Sequence, residues 1–288
     1  EKTVTLHQGG STLVTGIKQG ARVLADKPVQ VVLLTGDIND NYESRDMTLL
    51  PAEHWGSSYW SPVGVTVNPN DSLSLPTRIY LYNPRANGSI YITCEVHGSP
   101  SSTTTVKGPI AAGDVTYVDL IDGQGGHFYA SDSNGEPTTE KIIAVGTVDT
   151  APGDSGVDGI HGARADWSFT LFPDNFLSTE ALVGLGLGQD PTYAPTENGS
   201  PLWVTAACKE GTWVYVDWNN DGTADPIDTN GDGTAEPNSA DGVKISYLES
   251  VRLYRPGSTN NVYAQTGARV WSRTASGMGQ YNDPEAES

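Results

Sequence analysis

Basic residues are scarce in this sequence, and their scarcity restricts the partners that the protein can bind. The 288 residues include 16 Lys and Arg against 35 Asp and Glu, which gives a formal net charge of −19 at pH 7. A surface with this much negative charge repels phosphate backbones and anionic lipids. We therefore expect neither nucleic-acid binding nor binding to a membrane surface.

Long apolar runs and cysteines are also scarce. The longest apolar run, residues 29–34, is interrupted by Gln30 and is far shorter than the ~18 residues that cross a bilayer, so we expect no membrane insertion. The two cysteines, Cys94 and Cys208, are too few for a disulfide scaffold and lack the spacing of a zinc site. One disulfide, as in an exported protein, and two separate thiols are both compatible with this pair.

Helical periodicity is almost absent, whereas short β-branched and aromatic runs between turn residues are frequent. Many short strands with regular turn signals are typical of antiparallel β-sandwiches. The sequence therefore predicts an all-β fold, with strands such as Arg78–Tyr82 and Thr212–Asp217. We also expect a leading strand at Thr3–Leu6, and we expect the rings of Trp203 and Trp213 to fill a sandwich interior.

An internal repeat is the most informative feature of the sequence. Three pairs of short segments recur at a displacement of 122 or 123 residues: Thr48–Pro51 with Thr170–Pro173, Ile79–Leu81 with Leu202–Val204, and Gly88–Ile92 with Gly211–Tyr215. A near-constant displacement across separated motifs indicates a duplicated β unit. We predict two tandem antiparallel β-sandwich units, residues 1–125 with a leading strand segment at 1–19, and residues 126–288. The boundary is expected within 121–150.

An aspartate-rich segment of the second unit has the spacing of a calcium-binding loop. The loop begins at Asp217 and has a glycine, Gly222, at its sixth position, where a tight turn folds the chain around a cation. Ca²⁺ prefers about six to eight oxygen ligands. The predicted ligands, of which Thr223 would supply its backbone carbonyl, are Asp217, Asn219, Asp221, Thr223, Asp225 and Asp228.

A second loop begins on the same Asp228, eleven residues after the first. Its predicted ligands are Asp228, Asn230, Asp232, Glu236 and, because Ser239 stands at the twelfth position, the nearby Asp241. Consecutive loops without intervening helices resemble the calcium-binding aspartate-rich repeats of the thrombospondin type 3 class, and this resemblance implies bound Ca²⁺ within 217–241. Since every predicted ligand belongs to the protein, a structural role is favoured over a catalytic one. An acidic turn without metal is the alternative interpretation.

Motifs near both ends of the repeat resemble a known family. Val29–Asp37, Tyr42–Arg45 and Thr48–Pro51 are similar to the N-terminal domain of IgGFc-binding proteins, related domains of which occur in large secreted and cell-surface proteins of bacteria. Asn198–Thr205 and Val214–Asp217 resemble the second half of those bacterial versions. The resemblance implies an exported adhesive or structural module, and it transfers no catalytic residues.

These observations favour an extracellular, calcium-stabilised structural protein without enzymatic activity. It would be a subunit or segment of a cell-surface fibre, filament or adhesin. Assembly would occur by β-strand addition, with further copies of itself or with another cell-surface component. An alternative is a surface module that binds carbohydrate or protein through aromatic side chains around Trp55, Tyr59 and Trp60. A secreted polysaccharide hydrolase is the third hypothesis, although no pair of carboxylates stands out for that chemistry.

Overall fold

The computed structural model of the chain describes residues 2–18, 20–35, 45–65, 76–148, 167–184, 202–257 and 266–274. It is 43% strand and 4% helix, so the all-β prediction is confirmed. The described strands are β1 (Val32–Thr35), β2 (Arg45–Thr48), β3 (Ser58–Ser61), β4 (Thr77–Tyr82), β5 (Ser89–Val96), β6 (Thr103–Ala111), β7 (Val115–Leu120), β8 (Gly126–Ser131), β9 (Ile143–Val148), β10 (Trp167–Thr170), β11 (Glu180–Leu182), β12 (Leu202–Thr205), β13 (Thr212–Asp217), β14 (Val243–Ile245), β15 (Ser250–Leu253) and β16 (Arg269–Thr274). Short 3-10 turns occupy Ala52–His54, Asp174–Phe176 and Ser239–Asp241. Within the described ranges, no helix is both long and apolar enough to cross a membrane.

The first sandwich consists of two four-stranded antiparallel sheets, in the orders β3-β8-β5-β6 and β10-β9-β4-β7. Side chains alternate between the core and the outside along each strand, as in β4, where Ile79 and Leu81 are fully buried and Tyr80 between them is less buried. Ile92 and Phe128 of the other sheet belong to the same core cluster. The two sheets therefore enclose one hydrophobic core.

The second sandwich contains a four-stranded sheet, β11-β16-β13-β14, and a two-stranded sheet, β12-β15. Its core cluster includes Val214 and Val216 of β13 and Leu253 of β15. Because side chains alternate along a strand, Trp213 of β13 and Trp203 of β12 lie on the faces that point away from this core. Both are only half-buried. The prediction that these two tryptophans fill the interior is therefore wrong.

Strand pairing repeats along the chain at an interval of eight strands. The order β3-β8-β5-β6 recurs as β11-β16-β13-β14, the pair β4-β7 recurs as β12-β15, and the pair β1-β2 recurs as β9-β10. The register of the last pair is also repeated, because Val32 lies opposite Thr48 in one hairpin and Val145 lies opposite Thr170 in the other. The described strands thus form two runs of eight, and the pairings within the first run recur within the second.

The packing of the strands does not follow the predicted boundary at residue 125, within 121–150. Strand β8 pairs with β3 and β5, and β9 pairs with β4, so both complete the first sandwich. Strand β10 adds to β9, and the adjacent Leu171 is buried in the first core. The first sandwich therefore extends to residue 171, because the hairpin β9–β10 joins a sheet that earlier strands begin.

The predicted leading strand at Thr3–Leu6 is wrong, since the described residues 2–18 contain no strand. Val4 and Leu6 alternate as strand residues do, but their side chains are 49% and 45% exposed. Local alternation favours an extended chain, whereas a stable strand also needs a neighbouring strand to pair with.

The two sandwiches are joined through the turn 247–249 of the second. Gly125 N donates a hydrogen bond to Leu248 O at 2.7 Å, and the hydroxyl of Tyr247 donates to the carboxylate of Glu95 at 2.5 Å. Leu248 has a left-handed φ of 59° and is fully buried at this junction. Since a left-handed branched residue is costly, surrounding contacts must hold the turn in place.

Candidate metal centre

The aspartate-rich segment lies in the connection between β13 and β14, two strands that pair in the second sandwich. The corresponding strands of the first sandwich, β5 and β6, are joined by the much shorter segment 97–102. The acidic loops are thus an insertion at one end of the second sandwich. Both of their ends are fixed by strands of the same sheet.

The first loop is built around the carboxylate of Asp217, the last residue of β13. Its oxygens accept hydrogen bonds from the backbone N–H groups of Asn219 at 3.2 Å, Asp221 at 3.1 Å and Gly222 at 2.7 Å. Gly222 has a φ of 90°, a conformation that a side chain would strain, so the glycine permits this turn. The carboxylate of Asp225 closes the loop by accepting a hydrogen bond from Trp218 N at 2.8 Å.

The second loop repeats this geometry eleven residues later. The carboxylate of Asp228 accepts hydrogen bonds from Asn230 N at 2.9 Å, Gly231 N at 2.7 Å and Gly233 N at 2.8 Å. Glu236 occupies the place of Asp225, and its carboxylate accepts hydrogen bonds from the backbone and the hydroxyl of Thr229. Two consecutive loops therefore share one hydrogen-bonding frame.

The side chains between these anchors also repeat. The carboxylate of Asp221 accepts hydrogen bonds from the backbone and the hydroxyl of Thr223. In the second loop the carboxylate of Asp232 accepts one from Thr234 N at 2.7 Å. These hydrogen bonds stabilise the ionised carboxylates, so that Thr223 lowers the pKa of Asp221 and Thr234 lowers the pKa of Asp232. Both aspartates are therefore held in the charged form that binds a cation.

The loops are fixed to the core of the second sandwich by apolar side chains. Trp218 is 3% exposed, and its indole N–H donates to Pro226 O at 2.9 Å. Ile227 stands between the two loops, is fully buried, and belongs to the core cluster. Its backbone N–H donates to the hydroxyl of Ser239 at 2.9 Å. A change in the geometry of the loops would therefore reach the core directly.

The first aspartate of each loop is buried, and burial of its carboxylate costs free energy. Asp217 is 0% exposed and Asp228 is 1% exposed, and the donors to both carboxylates are backbone N–H groups. In the described part of the chain, no ion pair joins either carboxylate to a cationic side chain. Burying a carboxylate without a positive partner is costly. A bound cation would offset that cost.

The donor chemistry of the loops fits a hard cation. Each loop combines carboxylates with an asparagine amide oxygen and a threonine carbonyl, and such oxygen-only sets suit Ca²⁺. Among the described residues, no three His, Cys, Asp or Glu side chains form a group that could hold a metal by themselves. The asparagine and carbonyl oxygens would therefore be needed as ligands.

The structure places most, but not all, of the predicted ligands in these two frames. Asp228 was expected to close the first loop, but its carboxylate is engaged by N–H groups of the second. Asp241 is exposed in the 3-10 turn Ser239–Asp241, and no hydrogen bond links its side chain to either loop within the described ranges. Thr234, which was not among the predicted ligands, occupies in the second loop the position that Thr223 occupies in the first. The eleven-residue displacement of the two loops is the signal that identifies it.

The aromatic platform of the alternative hypothesis is not assembled. Tyr59 is fully buried, and its hydroxyl donates to Ile142 O at 2.9 Å in the first core. Trp60 is stacked on His127, with 3.9 Å between the ring centroids. The indole N–H of Trp55 donates to Leu50 O at 2.9 Å. These three side chains serve the packing of the first sandwich.

A cleft of about 350 Å³ in the first sandwich offers little to a hydrolase. Asp119 is the one carboxylate among its described lining residues, and it is paired with Arg78 at 2.7 Å. Glycoside hydrolysis commonly requires two carboxyl groups on opposite sides of the scissile bond. This cleft does not present such a pair.

Cys94 and Cys208 are both free thiols. Cys94 is buried in the first core, and burial raises the pKa of its thiol to about 12. The thiol of Cys208 donates to Gly211 O at 2.8 Å in the turn before β13. Of the two arrangements that the sequence left open, the structure contains separate thiols.

Comparison of the chain with protein-family models, with curated proteins and with solved structures finds no match.

Proposed function

We propose that the protein is an extracellular structural protein whose two acidic loops bind Ca²⁺ and stiffen the second sandwich. The observation that carries the proposal is the shared hydrogen-bonding frame around the buried carboxylates of Asp217 and Asp228. Ca²⁺ at these loops would neutralise clustered carboxylates and couple the loops to the core through Trp218 and Ile227. The predicted ligands would act in positioning the chain rather than in a reaction.

We place this protein in a cell-surface fibre, filament or adhesin. A chain that carries load between neighbours benefits from a rigid link between its domains, and the hydrogen bonds at the turn 247–249 provide one. The eight-strand interval in the strand order supports an origin by internal duplication. The net charge of −19 is compatible with a hydrated surface rich in divalent cations.

The calcium proposal predicts a stability change that depends on Asp217 and Asp228. A ligand at 100 times its Kd stabilises the folded state by about 2.7 kcal/mol, which corresponds to a rise in Tm of roughly 5 °C for a protein of this size. Differential scanning calorimetry of the wild-type chain, with Ca²⁺ and with a chelator, measures this shift. The double variant Asp217→Asn, Asp228→Asn is expected to lose it, because the amides keep the shape but remove the charge.

Asp132→Asn is the matched control for this experiment. The carboxylate of Asp132 accepts hydrogen bonds from Asn134 N at 2.8 Å and Glu136 N at 3.0 Å, so it forms a similar turn outside the acidic loops. This variant is expected to keep the full calcium-dependent shift. A wild-type chain whose Tm ignores Ca²⁺, or an equal shift in the double variant, would contradict the proposal.

A further inference from the structure

Among the described strands, the second sandwich has an open sheet edge at a position where the first sandwich has a paired one. Strand β4 pairs with β7 on one side and with β9 on the other. Its counterpart β12 pairs with β15, and no other described strand lies on its second side. A free edge exposes backbone N–H and C=O groups to which another strand can add.

The hairpin β9–β10 completes the first sandwich at this place. Ala144 of β9 and Phe169 of β10 pack in the first core together with Ile79 and Leu81 of β4. Ile142, next to β9, belongs to that core as well and accepts the hydrogen bond from the hydroxyl of Tyr59. The hairpin therefore supplies both backbone pairing and apolar side chains to the sandwich.

Within the described ranges, the second core is less covered at the equivalent position. Leu202 and Val204 of β12 align with Ile79 and Leu81 of β4 in the sequence repeat and also face their core cluster. Ile79 and Leu81 are 0% exposed, whereas Leu202 and Val204 are only partly buried. No described hairpin covers β12 in the way that β9–β10 covers β4.

The hairpin β1–β2 resembles β9–β10, the hairpin that adds to β4, in its pairing register. It has the same register as β9–β10, and the next hydrogen bond is also repeated: Leu49 N donates to Val31 O at 3.2 Å, and Leu171 N donates to Ala144 O at 3.4 Å. Within the described ranges β1 pairs with β2 alone, so its outer edge is unpaired. Along β1, Val32 and Leu34 are 46% and 57% exposed, and Leu33 between them is partly buried.

Neither of these two edges carries the features that usually block strand addition. The sequences of β1 and β12, VLLT and LWVT, contain no charged residue and no proline. The edge strand β6, by contrast, has Lys107 and Pro109 and an irregularity in its pairing with β5. Charges, prolines and bulges protect edge strands from unwanted pairing. β6 is therefore protected, and β1 and β12 are open.

The hairpin is held on its own first sandwich. The hydroxyl of Ser168 donates to Asp46 O at 2.9 Å, and the hydroxyl of Thr170 donates to Thr48 O at 2.8 Å, so that β2 lies beside β10. The outer edge of β1 is on the far side of β2 from this contact. Addition to β12 of another copy is thus possible without releasing the hairpin.

We propose that the hairpin β1–β2 of one copy adds to the open edge of β12 in the next copy, as β9–β10 adds to β4 within the chain. By the internal registers, Leu33 would lie opposite Leu202, Val32 opposite Trp203, and Val31 opposite Val204. The contact joins different surfaces of the two copies, so repeated addition generates a linear polymer. This inference rests on the proposed structural function and identifies the partner as a second copy of the chain.

A disulfide between copies tests the register directly. Two full-length chains, both with Cys208→Ser, carry Val32→Cys and Trp203→Cys respectively, and are mixed under mild oxidation. Paired residues in an antiparallel sheet have Cα atoms about 5.5 Å apart or less, within the range for a disulfide. We expect a cross-linked heterodimer from this mixture. The matched control pairs Val32→Cys with Leu202→Cys, whose side chains would face opposite sides of the sheet, and should give none.

A proline substitution tests whether assembly needs this edge. Val31 accepts a hydrogen bond from Leu49, so the N–H of the next residue, Val32, points away from β2. Val32→Pro therefore removes a hydrogen-bond donor from the outer edge of β1 and leaves the pairing with β2 intact. We expect loss of polymers in light scattering and electron microscopy, with polymers retained in the control Val115→Pro on the edge strand β7. If Val32→Pro still forms polymers and the cysteine pair of the disulfide experiment gives no cross-link, the hairpin inference is overturned. The proposed filament role would remain. A wild-type chain that stays monomeric would overturn both.

Discussion

At the scale of single residues, the junction between the sandwiches contains a half-buried histidine beside a carboxylate. Nε2 of His127 is hydrogen-bonded to the hydroxyl of Ser58 at 2.8 Å, and Nδ1 lies 3.4 Å from the carboxylate of Glu95. The same carboxylate accepts the hydroxyl of Tyr247 from the second sandwich. Burial, and then this carboxylate, raise the pKa of Tyr247 well above its ordinary value, so the hydroxyl remains a donor.

Protonation of His127 is expected to weaken the fold. Burial lowers the pKa of His127 below its ordinary value of 6.5. Glu95 and Asp174 raise this pKa and partly oppose the effect of burial, whereas Lys209 lowers it further. The unfolded chain therefore binds the proton more readily than the folded chain, so stability falls as the pH drops below 6.5. Urea unfolding at about pH 7.5 and 5.5 should show a smaller pH difference in His127→Gln than in the wild type. Equal pH differences in the two proteins would refute this assignment.

At the scale of elements, the hairpin β9–β10 decides which core is complete. It covers Ile79 in the first sandwich, whereas no described hairpin covers the equivalent Leu202 in the second. Two apolar side chains of similar size at equivalent positions thus differ in burial. The difference follows from the partner strand and not from the local sequence.

This difference predicts unequal costs of truncation in the monomer. Ile79→Ala removes a fully buried side chain and should lower the free energy of unfolding by about 2–5 kcal/mol. Leu202→Ala should cost clearly less, because part of that side chain is already in water. Denaturant unfolding at a concentration where the protein is monomeric measures both. An equal cost would mean that the second core is complete without a partner.

The sequence predicts elements better than it predicts their partners. Alternating residues identified Arg78–Tyr82 and Thr212–Asp217 as strands, and the structure contains both within a residue. Alternation assigns a side chain to a face but does not name the neighbouring strand, so the pairing of β8 and β9 with earlier strands escaped prediction. In the acidic loops, spacing predicted the turns around Asp217 and Asp228, because such turns depend on nearby residues. It did not predict the exposed position of Asp241, which lies beyond the local frame.

At the scale of the whole molecule, the outer edges of β1 and β12, which are unpaired among the described residues, belong to different sandwiches of one chain. Within the chain, β9 pairs with β4, and β1 and β12 are their counterparts in the strand order. The edges of β1 and β12 are therefore expected to pair in the same way between copies. Each chain offers one hairpin, β1–β2, and one edge that can receive a hairpin, that of β12, so copies can be added one after another. The proposed Ca²⁺ loops lie in the second sandwich, which contains β12. There they would keep the core in the shape that receives the hairpin.

Electron microscopy of the wild-type protein in calcium-containing buffer shows whether the chain forms filaments. We expect unbranched filaments whose repeating unit is one chain, and their loss when Ca²⁺ is removed by a chelator. Uniform single particles of one chain each, at every concentration and with Ca²⁺ present, would contradict it.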